Sequence, residues 1–94
     1  MAVSRLLVEL WIPGSRSLKE KRKVISSIRD RLGARNHLAL AELDDQDKWQ
    51  RAVLGIVSIG SSASRTRQSM EWVLDMLDEE PRVEVLGTQL EELE

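Results

Sequence analysis

Six cations crowd between positions 16 and 29: Arg16, Lys19, Lys21, Arg22, Lys23 and Arg29. Lysine and arginine at that density suit a phosphate backbone, because each phosphate they neutralise releases condensed counterion. Other chemistry is scarce. With no cysteine there is no thiol nucleophile, zinc–thiolate site or disulfide. His37 is the single histidine and has no second nitrogen or sulfur ligand, so it reads as a strand histidine with a structural hydrogen bond. Glu42, Asp44, Asp45 and Asp47 form an oxygen-rich turn, but the spacing and glycine of a calcium loop are missing, so a solvated acidic turn is expected. No glycine-rich phosphate loop and no Ser/His/Asp set is present, and Ser61, Ser62 and Ser64 read as helix caps. These residue types point to a binding protein without catalytic residues, metal or cofactor.

The net charge of −2 conceals a division. Residues 1–35 carry nine basic and three acidic side chains, whereas residues 36–94 carry five and thirteen. Such asymmetry describes surfaces and partners. The 94 residues suffice for one domain, residues 1–94, and 41% hydrophobic with 32% charged residues is globular composition. No apolar run approaches the ~18 residues of a membrane span, and the N-terminus lacks the pattern of a secretory signal. A cytoplasmic protein is expected.

The elements that must hold these residues follow from periodicity. Ala2 to Ile12 reads as a strand closed by Pro13-Gly14. Ser17-Leu18-Lys19-Glu20 has the spacing of a capping box, and Leu18, Val24, Ile25, Ile28 and Leu32 fall on one helical arc that Gly33 ends. A second strand is expected over about 36–43 and a third over about 49–60, with the polar link 44–48 between them. A second helix buries Ala63, Met70, Val73, Leu74 and Leu77 and stops at Pro81. A last strand covers about 82–86, and residues 87–94 read as an acidic tail. The order β-α-β-β-α-β is that of an α+β, ferredoxin-like fold: a four-stranded antiparallel sheet with both helices on one face.

On the first helix Lys19, Arg22, Lys23 and Arg29 fall opposite or flanking the apolar arc, and Arg16 precedes it. Lys21 falls inside the arc, where it must snorkel or meet an anion. On the open face of the sheet, Leu7 and Trp11 of the first strand should share a side with Trp49, Arg51 and Val53 of the third. One register pairs Trp11 with Trp49, Glu9 with Arg51 and Leu7 with Val53. Trp72 falls opposite the buried line of the second helix, beside Met76, and reads as exposed.

Two stretches carry a family resemblance. Ile12-Pro13-Gly14-Ser15-Arg16-Ser17-Leu18-Lys19-Glu20-Lys21-Arg22 resembles the "IPG-x-x-SLKEKR" opening of the YlxP-like proteins, small bacterial domains of unknown function. Ala41-Glu42-Leu43, Asp47, Trp49-Gln50-Arg51-Ala52 and Leu54-Gly55 resemble that family's second signature. The chain departs from the family pattern at Asn36-His37-Leu38. The resemblance implies a ferredoxin-like fold, a bacterial cytoplasm and, from the company such genes keep, a link to RNA or ribosomes. It brings no catalytic residues.

Two readings follow. In the first, the basic helix binds RNA or a ribosomal particle through Arg16, Lys19, Lys21, Arg22, Lys23 and Arg29. In the second, the chain is a homodimeric protein-interaction module without a nucleic-acid ligand, joined through Leu7, Trp11, Trp49, Arg51 and Val53 with Trp72 as a further contact.

Overall fold

The computed structural model describes residues 1–35, 37–45 and 47–93. Strand β1 (Ala2–Trp11) leads to helix α1 (Leu18–Leu32) and strand β2 (Leu38–Asp44), then strand β3 (Arg51–Gly60), helix α2 (Ala63–Glu79) and strand β4 (Glu84–Leu93). The sheet order is β2-β3-β1-β4 and every neighbouring pair is antiparallel, so the chain has the ferredoxin-like arrangement. The expected start of the second strand at Asn36 lies outside the described residues.

Alternation builds the core. Leu6, Val8 and Leu10 of β1 and Ala52, Leu54 and Ile56 of β3 point to the helix side and are buried. There they meet Val24, Ile25, Ile28 and Leu32 of α1 and Met70, Val73 and Leu77 of α2. Each large side chain so buried contributes roughly 1.5–3 kcal/mol.

Both helices start on serine. Ser17 Oγ accepts from Glu20 N at 3.1 Å and Ser62 Oγ accepts from Arg65 N at 3.4 Å. The Glu20 carboxylate turns back to accept from the backbone N–H of Arg16, one residue before the position a capping box uses. Gly33 ends α1 in ordinary right-handed backbone, φ −62°, and its N–H bonds Arg29 O at 2.9 Å.

Four expectations are corrected. Residues 87–93 are not a tail: β4 runs to Leu93, which pairs with Val3. An edge strand need not present an apolar face, and two of its acids have partners: Glu91 bonds Arg5, and Glu92 lies 2.9 Å from Arg67.

The β1–β3 register differs by two residues. Trp11 faces Arg51, Glu9 faces Val53 and Leu7 faces Gly55. The chain keeps pairing through Ile12 N to Gln50 O at 2.8 Å, then meets Pro13, which has no N–H to donate. Trp49 therefore precedes the strand, and the Trp11–Trp49 cross-strand pair is not formed. A slip of two preserves which side chains face the helices, so the inward set was unaffected.

On α2, Ala63 is exposed, while Thr66, Ser69 and Met76 are buried. Counting apolar residues missed the two hydroxyls because they satisfy themselves locally. Thr66 Oγ1 donates to Ala63 O at 3.0 Å and accepts from Ser4 Oγ at 2.8 Å, while Ser69 Oγ donates to Arg65 O at 3.2 Å. Trp72 is half-buried and packs against the core, with the Arg35 guanidinium 4.2 Å from its ring centroid, so it is not a free surface tryptophan beside Met76.

Candidate functional site

The inward arc of α1 is fixed by packing, which leaves its outer face to the charges. Lys19, Arg22, Lys23 and Arg29 are all exposed there, and Arg16 is exposed just before the helix. None of the five forms an ion pair among the described residues. Lys19, Arg22 and Lys23 line a shallow groove along the helix with Ser26, Ser27 and Arg31, and Asp30 is its one acid. Arg22 and Arg29 are seven residues apart, two turns and about 10 Å of rise along one side. Cations held this way can meet successive phosphates without reading a base.

Lys21 does not share that strip. Its side chain is 1% exposed and its ammonium lies 2.9 Å from Glu42 Oε2. It also donates to the carbonyls of Asp45 at 2.7 Å and Arg51 at 3.1 Å. Asp45 takes left-handed backbone, φ 59°, which aspartate tolerates better than most residues. Lys21 thus ties the first turn of α1 to the β2–β3 connection, and the cation on the apolar arc found its anion inside the protein rather than on a ligand.

Arg31 is held as well. Its guanidinium bonds the buried Glu80 carboxylate at 2.6 Å, which also accepts from Arg82 Nη2 at 2.8 Å and Arg82 Nε at 2.9 Å. The Arg82 hydrogen bonds hold the Glu80 carboxyl at about 2, below its usual 4.5, against the opposing effect of burial. Arg82 reaches on to Ser27 Oγ of α1 at 2.9 Å. No sequence period relates residues 27, 31, 80 and 82, so this junction was missed; only the fold brings them together.

The outer face of α2 is the counterpart of the basic strip. Glu71, Asp75, Asp78 and Glu79 are exposed there and form no ion pairs among the described residues. On the acidic turn, Asp45 pairs with Lys48 at 3.0 Å and Asp44 Oδ1 accepts from Asp45 N. Among the described residues no group of three or more His, Asp or Glu side chains is placed to hold a metal ion.

His37 Nε2 lies 2.8 Å from Ser69 Oγ. Because that hydroxyl gives its proton to Arg65 O, it accepts from an Nε2–H, the reverse of the polarity a base-activated nucleophile requires. The expected structural hydrogen bond of His37 is made, although His37 lies in the turn before β2 and not in the strand.

The open face of the sheet gathers Leu7, Trp11, Arg51 and Val53, as expected, together with Leu43, Val57, Ile59 and Leu93. Leu43 lies over Gly55, where an added Cβ would stand 2.8 Å from its Cδ1. Arg51 reaches diagonally to Glu9 at 2.7 Å, so that ion pair forms despite the different register. Trp49 lies before β3 and Trp72 on α2, so neither belongs to the strand residues of this face.

The family described as "Protein of unknown function (DUF503)" matches residues 3–90. The chain belongs to this family. The "Uncharacterized protein YlxP" of Bacillus subtilis (strain 168) is 36% identical over 75 residues, 80% of this chain and 82% of that protein. The YlxP-like resemblance is thereby borne out. Among solved structures, the structured domain of Drosophila melanogaster Boca superposes with a TM-score of 0.55 at 18% identity, covering 96% of this chain and 99% of that one. A structure titled protein YJCS gives 0.58 at 13% identity, covering 98% and 99%. At such identities the likeness is one of fold, which this DUF503 chain shares. No helix among its described residues is long and apolar enough to cross a membrane.

Proposed function

We propose that this DUF503 protein is a non-enzymatic, cytoplasmic RNA-binding protein that docks on structured RNA, including that of a ribosomal particle, through the outer face of α1. One observation carries this reading. Lys19, Arg22, Lys23 and Arg29 have no carboxylate partner among the described residues, while Arg5, Arg51, Arg67, Arg82 and Lys48 all have one. Arg16 extends the strip at its start. The link to translation that the YlxP-like resemblance implies agrees with it. Contacts of this kind bind backbone and carry little sequence information.

The test is the salt dependence of binding to a duplex-like RNA. Four phosphate contacts give a log–log slope of about −3 to −4. Arg22→Glu combined with Lys23→Glu should weaken binding at least about tenfold at low salt. An affinity independent of salt, or one the double variant leaves unchanged, would sink the reading.

A second reading is favoured by the open sheet face, whose occupant would be a second copy of this chain. Trp11, Leu43, Val57, Ile59 and Leu93 are all exposed there, each more than a third. The charges among them are paired as Arg5–Glu91 and Arg51–Glu9. A neutral apolar face meets itself about a twofold axis without like-charge repulsion. Val57→Asp should halve the mass measured by light scattering; a monomeric mass for the unaltered chain rejects this interface. In this second reading the dimer has no nucleic-acid ligand, so RNA binding by α1, on the opposite side of the sheet, separates it from the first.

A further inference from the structure

Outside α1, Arg35 and Arg65 share the condition of the strip: both are exposed, and neither meets a carboxylate among the described residues. Both line a cleft of about 610 Å³ bounded by the approach to β2, the end of β3 and the first turns of α2. Small-molecule sites span roughly 300–1,000 Å³. The cleft shares no lining residue with the groove on α1.

Its parts are held in place. The Arg35 guanidinium lies over the Trp72 ring, a contact that orients both planes. The imidazole of His37 is anchored on Ser69, which is itself anchored on the Arg65 carbonyl. Trp72 gives the cleft an aromatic wall, and Gln68 adds an amide with both donors and an acceptor. No described residue lining it is acidic.

We propose that this cleft binds a nucleoside monophosphate, its phosphate taken by Arg35 and Arg65 and its base set against Trp72. Two guanidiniums offer more donors than one carboxylate uses, and their fork geometry matches phosphate oxygens. A bare inorganic anion would leave the aromatic wall and the Gln68 amide unused. A base brings both a π-face and a donor–acceptor edge. The site goes beyond the RNA-binding reading of α1 and does not rest on it.

The experiment is a nuclear magnetic resonance titration of the full chain with UMP and AMP, with uridine and inorganic phosphate as comparisons. The nucleotides should shift the Trp72 indole N–H and the backbone amides of 59–69, and uridine and phosphate should each bind about tenfold more weakly or less. Arg65→Gln should lower nucleotide affinity about tenfold while the circular dichroism spectrum is retained, and Arg35→Gln should do the same. Lys19→Gln with Lys23→Gln should leave nucleotide binding unchanged while flattening the RNA salt slope, which separates this site from the strip. The proposal is overturned if the shifts map to α1, if phosphate binds as tightly as UMP, if Arg65→Gln binds UMP like the unaltered chain, or if no shift appears at millimolar nucleotide. Competition by a short oligoribonucleotide would assign the site to a nucleotide within a chain; failure to compete would assign it to free nucleotides.

Discussion

The two helices occupy equivalent places in the two halves of the fold, yet they present opposite charge to solvent. Both are capped by serine and both bury an apolar arc against the same sheet. Outward, α1 shows Lys19, Arg22, Lys23 and Arg29, and α2 shows Glu71, Asp75, Asp78 and Glu79. In each helix much of that charge opposes the macrodipole: three of those outward cations, Lys19, Arg22 and Lys23, stand in the first two turns of α1, and acids fill the last turn of α2, which has no basic residue. The cost is a few tenths of a kcal/mol per charge. The inward faces answer to packing, while the outward faces make no demand that folding would impose.

The comparison can be broken first at Lys21, the cation that left the strip. Lys21→Met should cost about 3 kcal/mol in denaturant unfolding, because it deprives Glu42 and two carbonyls of their ammonium. Lys23→Met, on the exposed face of the same helix, should cost less than about 0.5 kcal/mol. Equal losses would mean that burial does not separate the two lysines.

The junction between the helices comes next. Glu80→Gln should destabilise by about 2 kcal/mol, since a buried carboxylate gripped by two arginines gives way to a neutral amide. Its folded value of about 2 lies below the usual 4.5, so its contribution is present above the unfolded value and fades as pH falls from about 4.5 towards 2. The unaltered chain should therefore lose more stability than Glu80→Gln across that interval, read as the difference in thermal midpoints.

Cap removal should tell the helices apart more gently. Ser17→Ala should cost about 1 kcal/mol and Ser62→Ala about half as much, in line with their 3.1 Å and 3.4 Å bonds. Smallest is the effect of quieting the acidic face. Glu71→Gln, Asp75→Asn and Asp78→Asn together should strengthen RNA binding a few-fold at low salt and not at all in 0.5 M salt, where screening removes long-range repulsion. An equal gain at both salts would show that α2 touches the RNA.

The apolar periods of Leu6, Val8 and Leu10 and of Val24, Ile25 and Ile28 determined the strands, helices and inward faces, because burial imposes a period the sequence must repeat. The YlxP-like motif likewise determined the family, and the clustered cations determined a basic first helix. Tertiary structure decided what depends on partners distant in the chain. It set the register of β1 on β3, because a slip of two residues leaves the same side chains facing inward and so leaves no mark on the periodicity. It made a strand of residues 87–93, because β1 had an unpaired edge to offer. It buried Lys21 by supplying a carboxylate and two carbonyls from twenty-one or more residues away. It likewise assembled Arg35, His37, Arg65 and Trp72 around one cleft. A charge can be counted in a sequence, but whether it faces solvent or a counter-charge is settled only when the chain closes on itself.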